Sequence, residues 1–383
     1  MISRDILPHA QFCLKQFRAL CIIGPRQSGK TTLSKLLLKK PYINFENPTT
    51  QAQFESDPQG FVAKYKTGAI FDEVQRVPLL LRVLQEVLDN QTRRGQFIIT
   101  GSQQLLMLDS TLQSLAGRVG YLSLLPLSYS ELSAAGLEKK HVADYILRGG
   151  YPEIWAEDIH AGVWLDSYIH SYVQRDVRSI KNITNLAAFT KMLTLCAQAA
   201  GQIVNRDELS RQVGVDTKTI DSWIGVLEAS FVVFLLRPWF NNSNKRIIKS
   251  PKLYFYDSGL LCRLLRLNSR KALLEHSSYG ALFENWVIAE IMKNKFNRGD
   301  ASMMHFLRDR NGNEIDLVYS RDGMDCGLEI KSASKLNTSM FRSIDFWQRF
   351  QRNDNGMLLY GGERREEGFK GCTVVPWREV AAF

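Results

Sequence analysis

The chain has 383 residues, too many for one ordinary core, and its 45% hydrophobic and 23% charged residues are those of a globular protein of two or three domains. Its longest apolar stretches, such as Phe231–Leu236, fall far short of the roughly 20 residues a membrane span needs, so no membrane partner is expected. The formal charge of +10 favours an anionic partner, nucleic acid first, over the plainer reading of nucleotide phosphates plus ordinary solvated surface. Met1-Ile2-Ser3-Arg4-Asp5 carries no apolar stretch or small-residue cleavage site, so no signal peptide is expected. The six cysteines form no C-x-x-C pair and no zinc-site spacing; they read as reduced and structural, which suits the cytoplasm.

In chain order, the first element is a buried-strand run, Leu20-Cys21-Ile22-Ile23, leading into Gly24-Pro25-Arg26-Gln27-Ser28-Gly29-Lys30-Thr31. This is a complete G-x-x-x-x-G-K-[ST] phosphate loop, followed from Thr32 by a helix start. Glycines at its two ends let successive N–H groups turn inward on phosphates, and the helix macrodipole points the same way. Lys30 is placed to reach the β- and γ-phosphates of ATP, and the Thr31 hydroxyl to bind Mg²⁺. Tyr42-Ile43-Asn44-Phe45 reads as a second strand. Gly68-Ala69-Ile70-Phe71-Asp72-Glu73 is an apolar strand ending in adjacent carboxylates, a Walker B arrangement in which Asp72 holds Mg²⁺ and Glu73 polarises the attacking water. Leu80, Leu81, Leu84, Val87 and Leu88 recur at helical spacing. Phe97–Ser102 reads as another buried strand, whose Thr100 or Ser102 is placed to sense the γ-phosphate. Arg118 reads either as an arginine finger acting on a neighbouring subunit of a homo-oligomer, or as a surface ion pair.

From about residue 155 to 270 the pattern turns helical. Arg206–Val213, a turn at Gly214, and a helix capped by Asp216 spell helix-turn-helix syntax, with Ile220, Trp223, Ile224 and Leu227 as a core stripe. The strand-like run Phe231–Leu236 would then be a wing. The second helix offers Thr217, Lys218 and Ser222 to DNA, but also Asp221, which phosphates repel, so packing or protein contact weighs more heavily there. Lys245, Arg246 and Lys249 make a better patch for a phosphate backbone.

In the last hundred residues Glu284 lies on a predicted helix, and three predicted strands follow. Period-2 alternation sets Asp316 on one face of its strand, and Glu329 with Lys331 on one face of the next. Paired strands would bring these carboxylates onto one Mg²⁺ with a lysine beside it, the outfit of metal-assisted phosphodiester hydrolysis. The competing reading is a solvated hairpin face with an ion pair.

Gly24–Thr31, Asp72-Glu73-Val74-Gln75 with Pro78, Thr100-Gly101-Ser102, Leu115-Ala116-Gly117-Arg118 and Arg148-Gly149-Gly150-Tyr151-Pro152 recur in one known family. So do Arg175-Asp176, Ser250–Gly259, Glu284-Asn285 and Glu314-Ile315-Asp316 with Glu329-Ile330-Lys331. On these motifs the chain resembles the AAA-type ATPases of archaea and bacteria that carry the C-terminal domain of unknown function 4143. The resemblance implies an α/β fold with an ASCE/AAA-like P-loop domain on a parallel sheet over 1–155. It implies a helical winged-helix module over 156–272 and a PD-(D/E)xK nuclease-like α/β domain over 273–383. The nuclease motif's proline is missing, since Ile315 precedes Asp316. The function expected is ATP hydrolysis coupled to action on DNA through a metal-dependent nuclease-like domain. The alternative is an ATP-gated switch whose later domains bind proteins.

Overall fold

The computed structural model describes residues 2–90, 92–101, 115, 117–177, 183–239, 249–321, 323–352, 355–369 and 372–383. Its first layer is a sheet of five strands, β1 (Ala19–Ile23), β2 (Tyr42–Asn44), β3 (Ala69–Asp72), β4 (Phe97–Gly101) and β5 (Val119–Ser123), in the order β2-β3-β4-β1-β5. Every pair is parallel. All residues of β1, β3 and β4 are buried, because helices cover both faces. Leu20, Ile22, Ile70 and Ile98 pack with Ala10 and Leu33 on one face. Cys21, Ile23, Phe71 and Ile99 pack with Leu80, Leu84 and Leu88 on the other. Strands covered on both sides read as continuous apolar runs rather than alternating ones. A parallel sheet also gathers the C-terminal ends of its strands on one edge, and there the phosphate loop and the Asp72-Glu73 pair emerge with only β4 between their strands.

The second sheet has eight strands: β6 (Val233–Pro238), β7 (Lys252–Phe255), β8 (His305–Arg308), β9 (Glu314–Arg321), β10 (Met324–Lys331), β11 (Gly356–Tyr360), β12 (Glu366–Phe369) and β13 (Cys372–Pro376). They run in the order β12-β13-β11-β10-β9-β8-β6-β7. The helix Tyr279–Arg298 packs on β7 and β10, and the helix Arg342–Gln351 on β9, β10 and β11. The helix pair Arg206–Val213 and Thr217–Ala229 is joined through Gly214 at φ 84°, and the Asp216 carboxylate accepts from the Thr219 N–H at 2.8 Å. The strand expected as a wing also has a place in the second sheet. β6 pairs antiparallel with β7 but also parallel with β8, through Arg237 opposite His305 and Pro238 opposite Phe306. It is therefore an interior strand of the C-terminal sheet. Of the anticipated basic patch, Lys245 and Arg246 lie outside the described residues, and Lys249 is exposed.

A buried polar joint ties the two sheets together. Leu127 N–H donates to the Gly150 carbonyl at 2.6 Å, and Gly150 N–H donates to Asp257 at 2.7 Å. Asp257 also caps the helix Ser258–Leu264 through the Leu260 N–H. Gly149 is at φ 68°, and a Cβ there would fall 2.3 Å from an Asp257 carboxylate oxygen, so no larger residue fits. On the helix Tyr279–Arg298, Glu290 accepts from the Tyr129 N–H at 2.6 Å, and the Lys293 ammonium bridges Glu290 and the Leu127 carbonyl. Tyr129, Tyr145, Trp286 and Trp377 surround the joint edge to face. Among the described residues no helix is long and apolar enough to cross a membrane.

Candidate functional site

The phosphate loop leaves β1 at Gly24, where a Cβ would stand 2.1 Å from the Leu124 carbonyl oxygen; only glycine permits that approach of two backbones. Gln27 at φ 63° and Gly29 at φ 94° curl the loop onto the N-terminus of the helix Lys30–Leu37. Lys30 is buried, and its ammonium donates to the carbonyls of Gly24 at 3.0 Å and Pro25 at 2.8 Å. The Ser28 hydroxyl is buried with no partner among the described residues, an orphan that a phosphate oxygen would satisfy. Arg26 lies 3.9 Å from Glu46. A residue that motif reading missed braces the loop. Arg4 donates to the Ser28 carbonyl and the Leu125 carbonyl, each at 2.7 Å, and to Glu131 at 2.8 Å. Nothing local in the sequence marks Arg4, since its partners are 24 to 127 positions away.

Asp72, at the end of β3, collects three hydroxyls. Thr31 donates to it at 2.8 Å and Tyr42 at 2.6 Å, and Thr100 on β4 donates to its other oxygen. Thr100 therefore sits on the carboxylate rather than standing alone; Ser102 lies outside the described residues. Burial and then the bond to Asp72 push the Tyr42 phenol well above its usual range, so it stays protonated as a donor. Tyr42 was visible in the sequence only as the start of a strand. The hydroxyl of Thr31 and the carboxylate of Asp72 are hard oxygen donors of the kind Mg²⁺ takes, and the residues present fit that ion. Glu73, half buried at φ 59°, accepts a hydrogen bond from the Gln75 amide. Beside the loop opens a cavity of about 620 Å³, lined by Ile2, Arg4, Gly29, Thr32, Leu36 and Pro152 among others.

Arg118 stands at the N-terminal end of β5, the edge of the sheet away from its own phosphate loop, and pairs with Asp89 in an exposed position. It does not join the Lys30–Asp72 group. Of the two expected roles, the ion pair with Asp89 is present, and a finger acting on another subunit is left as a proposal.

The C-terminal candidates come together in part. Asp316 on β9 accepts from the Ile330 N–H at 2.8 Å, and Glu284 lies on the helix packed against β7 and β10. Between them stands a side chain the motif search assigned no role. The Lys252 ammonium, on β7, is 3.2 Å from Glu284 and 4.0 Å from Asp316, and is paired with Glu314. Tyr254 OH donates to Glu284 at 2.6 Å, and Asn285 grips Phe255 through both its N–H and its carbonyl. Glu329 turns elsewhere, to Lys331 and to the Ser343 hydroxyl at 3.0 Å. Burial and then the Asp316 charge push Glu284 up to about 7 and Glu329 up to about 8. Burial works against the charge on Lys252, yet Glu284, Asp316 and Glu314 outweigh it and hold the ammonium protonated. Among the described residues no group of three or more carboxylate, histidine or cysteine side chains is arranged to hold a metal. Glu284, Asp316 and Glu329 as they stand do not fit the Mg²⁺ expected of them.

Residues 16–133 match the AAA domain family, residues 139–271 a domain of unknown function (DUF8612), and residues 279–380 the domain of unknown function DUF4143. Two uncharacterized proteins, Rv2008c of Mycobacterium tuberculosis and Mb2031c of Mycobacterium bovis, are each 30% identical to this chain over 341 residues, 88% of this chain and 75% of theirs. Among solved structures, the Walker-type ATPase PABY2304 of Pyrococcus abyssi is similar at a TM-score of 0.46 and 13% identity, over 69% of this chain and 96% of that one. The signal transduction ATPase PH0952 of Pyrococcus horikoshii, which has a tetratricopeptide repeat sensor, is similar at a TM-score of 0.30 and 12% identity, over 79% of this chain and 48% of that one.

Proposed function

We propose that this chain, which belongs to one family with Rv2008c and Mb2031c and carries an AAA domain, binds and hydrolyses ATP with Mg²⁺ and uses the nucleotide state to govern its C-terminal half. The observation that carries the proposal is the Asp72 carboxylate. It gathers hydroxyls from Thr31, Tyr42 and Thr100 beside the loop that holds Lys30. When ATP binds, the Lys30 ammonium exchanges the Gly24 and Pro25 carbonyls for β- and γ-phosphate oxygens. The loop N–H groups and the Ser28 hydroxyl take the remaining phosphate oxygens. Thr31 and Asp72 would hold Mg²⁺, which neutralises phosphate charge as the bond to the leaving group breaks. Glu73 orients water for attack and draws on its proton, and must first leave the Gln75 amide. The cavity between Ile2 and Pro152 is of a size and mixed polarity suited to the adenosine part.

One feature makes DNA the favoured partner of the working protein: the formal charge of +10. A second reading, a switch that binds a protein, is favoured by one observation. Asp221 on the helix Thr217–Ala229 is joined to Arg206, which spends a cation that phosphates would need. ATP turnover measured with and without single-stranded, duplex and branched DNA, at low and moderate salt, separates them. Stimulation that depends on DNA structure and fades with salt supports the first. Intact basal turnover with no stimulation on any DNA supports the second. No turnover at all defeats both.

A further inference from the structure

We propose that the carboxylate cluster of the second sheet is neutralised by its own lysine. Lys252 is a resident cation standing where a divalent metal would stand, so this half of the chain does not cleave phosphodiesters by metal-assisted hydrolysis. The inference does not rest on the ATP reading.

Position comes first. Lys252 opens β7, and its ammonium reaches inward to Glu284 on a helix and to Glu314 and Asp316 on β9. The side chain is 3% exposed, so the charge has no water to rely on and depends on these three carboxylates. A divalent ion bound to Glu284 and Asp316 would sit against that ammonium, with twice the repulsion a single charge would feel. Charge balance points the same way. Glu284, Glu314, Asp316 and Glu329 face the cationic side chains of Lys252, Lys331 and Arg308, the last 3.2 Å from Glu314. The cluster falls one charge short of neutral, and a divalent ion added beside Lys252 would overshoot that gap. Geometry adds a third argument. Glu329 gives one oxygen to Lys331 and Ser343, while Asp316 gives one to the Ile330 N–H. Those oxygens are held by different donors, although the second oxygen of Glu329 is buried with no hydrogen-bond partner among the described residues. Backbone bonds from the Val204 N–H to the Pro251 carbonyl at 2.9 Å and from the Gly201 N–H to the Leu253 carbonyl at 2.8 Å fix the chain on either side of Lys252, so it is held in place rather than resting there.

The test is Mn²⁺ binding to the full chain without nucleotide, read by electron paramagnetic resonance, in a background carrying Asp72→Asn to silence the ATP-site metal. It is run at about pH 9, where protons compete little with a metal for carboxylates. The expected result is no bound Mn²⁺ in the background protein. Adding Lys252→Gln should then give one Mn²⁺ per chain, lost again on Asp316→Asn. A background protein that already binds one Mn²⁺, removed by Asp316→Asn, overturns the proposal. So does a folded Lys252→Gln protein that binds none. If Lys252→Gln fails to fold, the background measurement decides alone. Mg²⁺-dependent DNA cleavage by the natural chain that Glu329→Gln abolishes would also overturn it.

Discussion

Glu73 carries two marks of a residue held for use: a left-handed backbone at φ 59° and a carboxylate engaged by Gln75. That conformation costs a residue with a Cβ roughly 1–2 kcal/mol, and such strain persists only where surrounding structure imposes it. Glu73→Gln is expected to keep ATP binding while slowing hydrolysis about 10²- to 10⁴-fold, the worth of a general base. Filter binding beside phosphate release checks the split. Lys30→Ala should remove turnover altogether, and normal turnover in that variant would defeat the phosphate-loop assignment. A second expectation concerns pH. Glu284 and Glu329 titrate near 7 and 8 when folded, against 4.5 in an unfolded chain. The folded protein thus keeps protons that the unfolded chain has released. Their contribution is complete below about pH 4.5 and is lost as pH rises through 8. The thermal midpoint should therefore fall between pH 6 and pH 9, and Glu329→Gln should flatten that fall; an unchanged slope would contradict the assignment.

At the scale of elements, much was legible where a pattern is local. The phosphate loop, the strand closing on Asp72-Glu73, and the Gly214 and Asp216 punctuation each depend on residues within a few positions of one another. What could not be read was partnership. Period 2 assigns a residue to a face but names no neighbouring strand, so Phe231–Leu236 gave no sign that β6 would pair with β8 about 70 residues on. Lys252, Tyr42 and Arg4 escaped for the same reason: each acts through contacts distant in sequence. Arg118 was visible as a motif residue ahead of a strand, but its partner Asp89 was not. Asp257 offers a prediction of its own, since it caps one helix and holds the Gly150 N–H. Asp257→Ala removes a cap and leaves a buried donor unpaired, and should cost about 2–3 kcal/mol in urea unfolding. Asp257→Asn, which retains an acceptor, should cost less.

For the whole molecule, the buried joint at Tyr129, Gly150, Asp257, Glu290 and Lys293 joins the phosphate-loop half to the C-terminal half. Arg4 touches the phosphate loop and Glu131 at once, next to that joint. Whether Arg118 serves a second subunit has a direct check. Arg118→Ala mixed with Glu73→Gln protein should recover turnover if fingers act across subunits, because some interfaces then pair an intact base with an intact arginine. No recovery would reduce Arg118 to its ion pair with Asp89.

The placement of β6 has a bearing on how such a chain can be divided. A cut between residues 272 and 273 would strand β6 and β7 with the helices and leave β8 as a bare edge, open to pairing with any extended segment. Fragments made at that seam should clump rather than dissolve, whereas one beginning before Val233 keeps the sheet entire. Inheritance faces the same obstacle: shuffling the last hundred residues onto another host would have to carry the hairpin along.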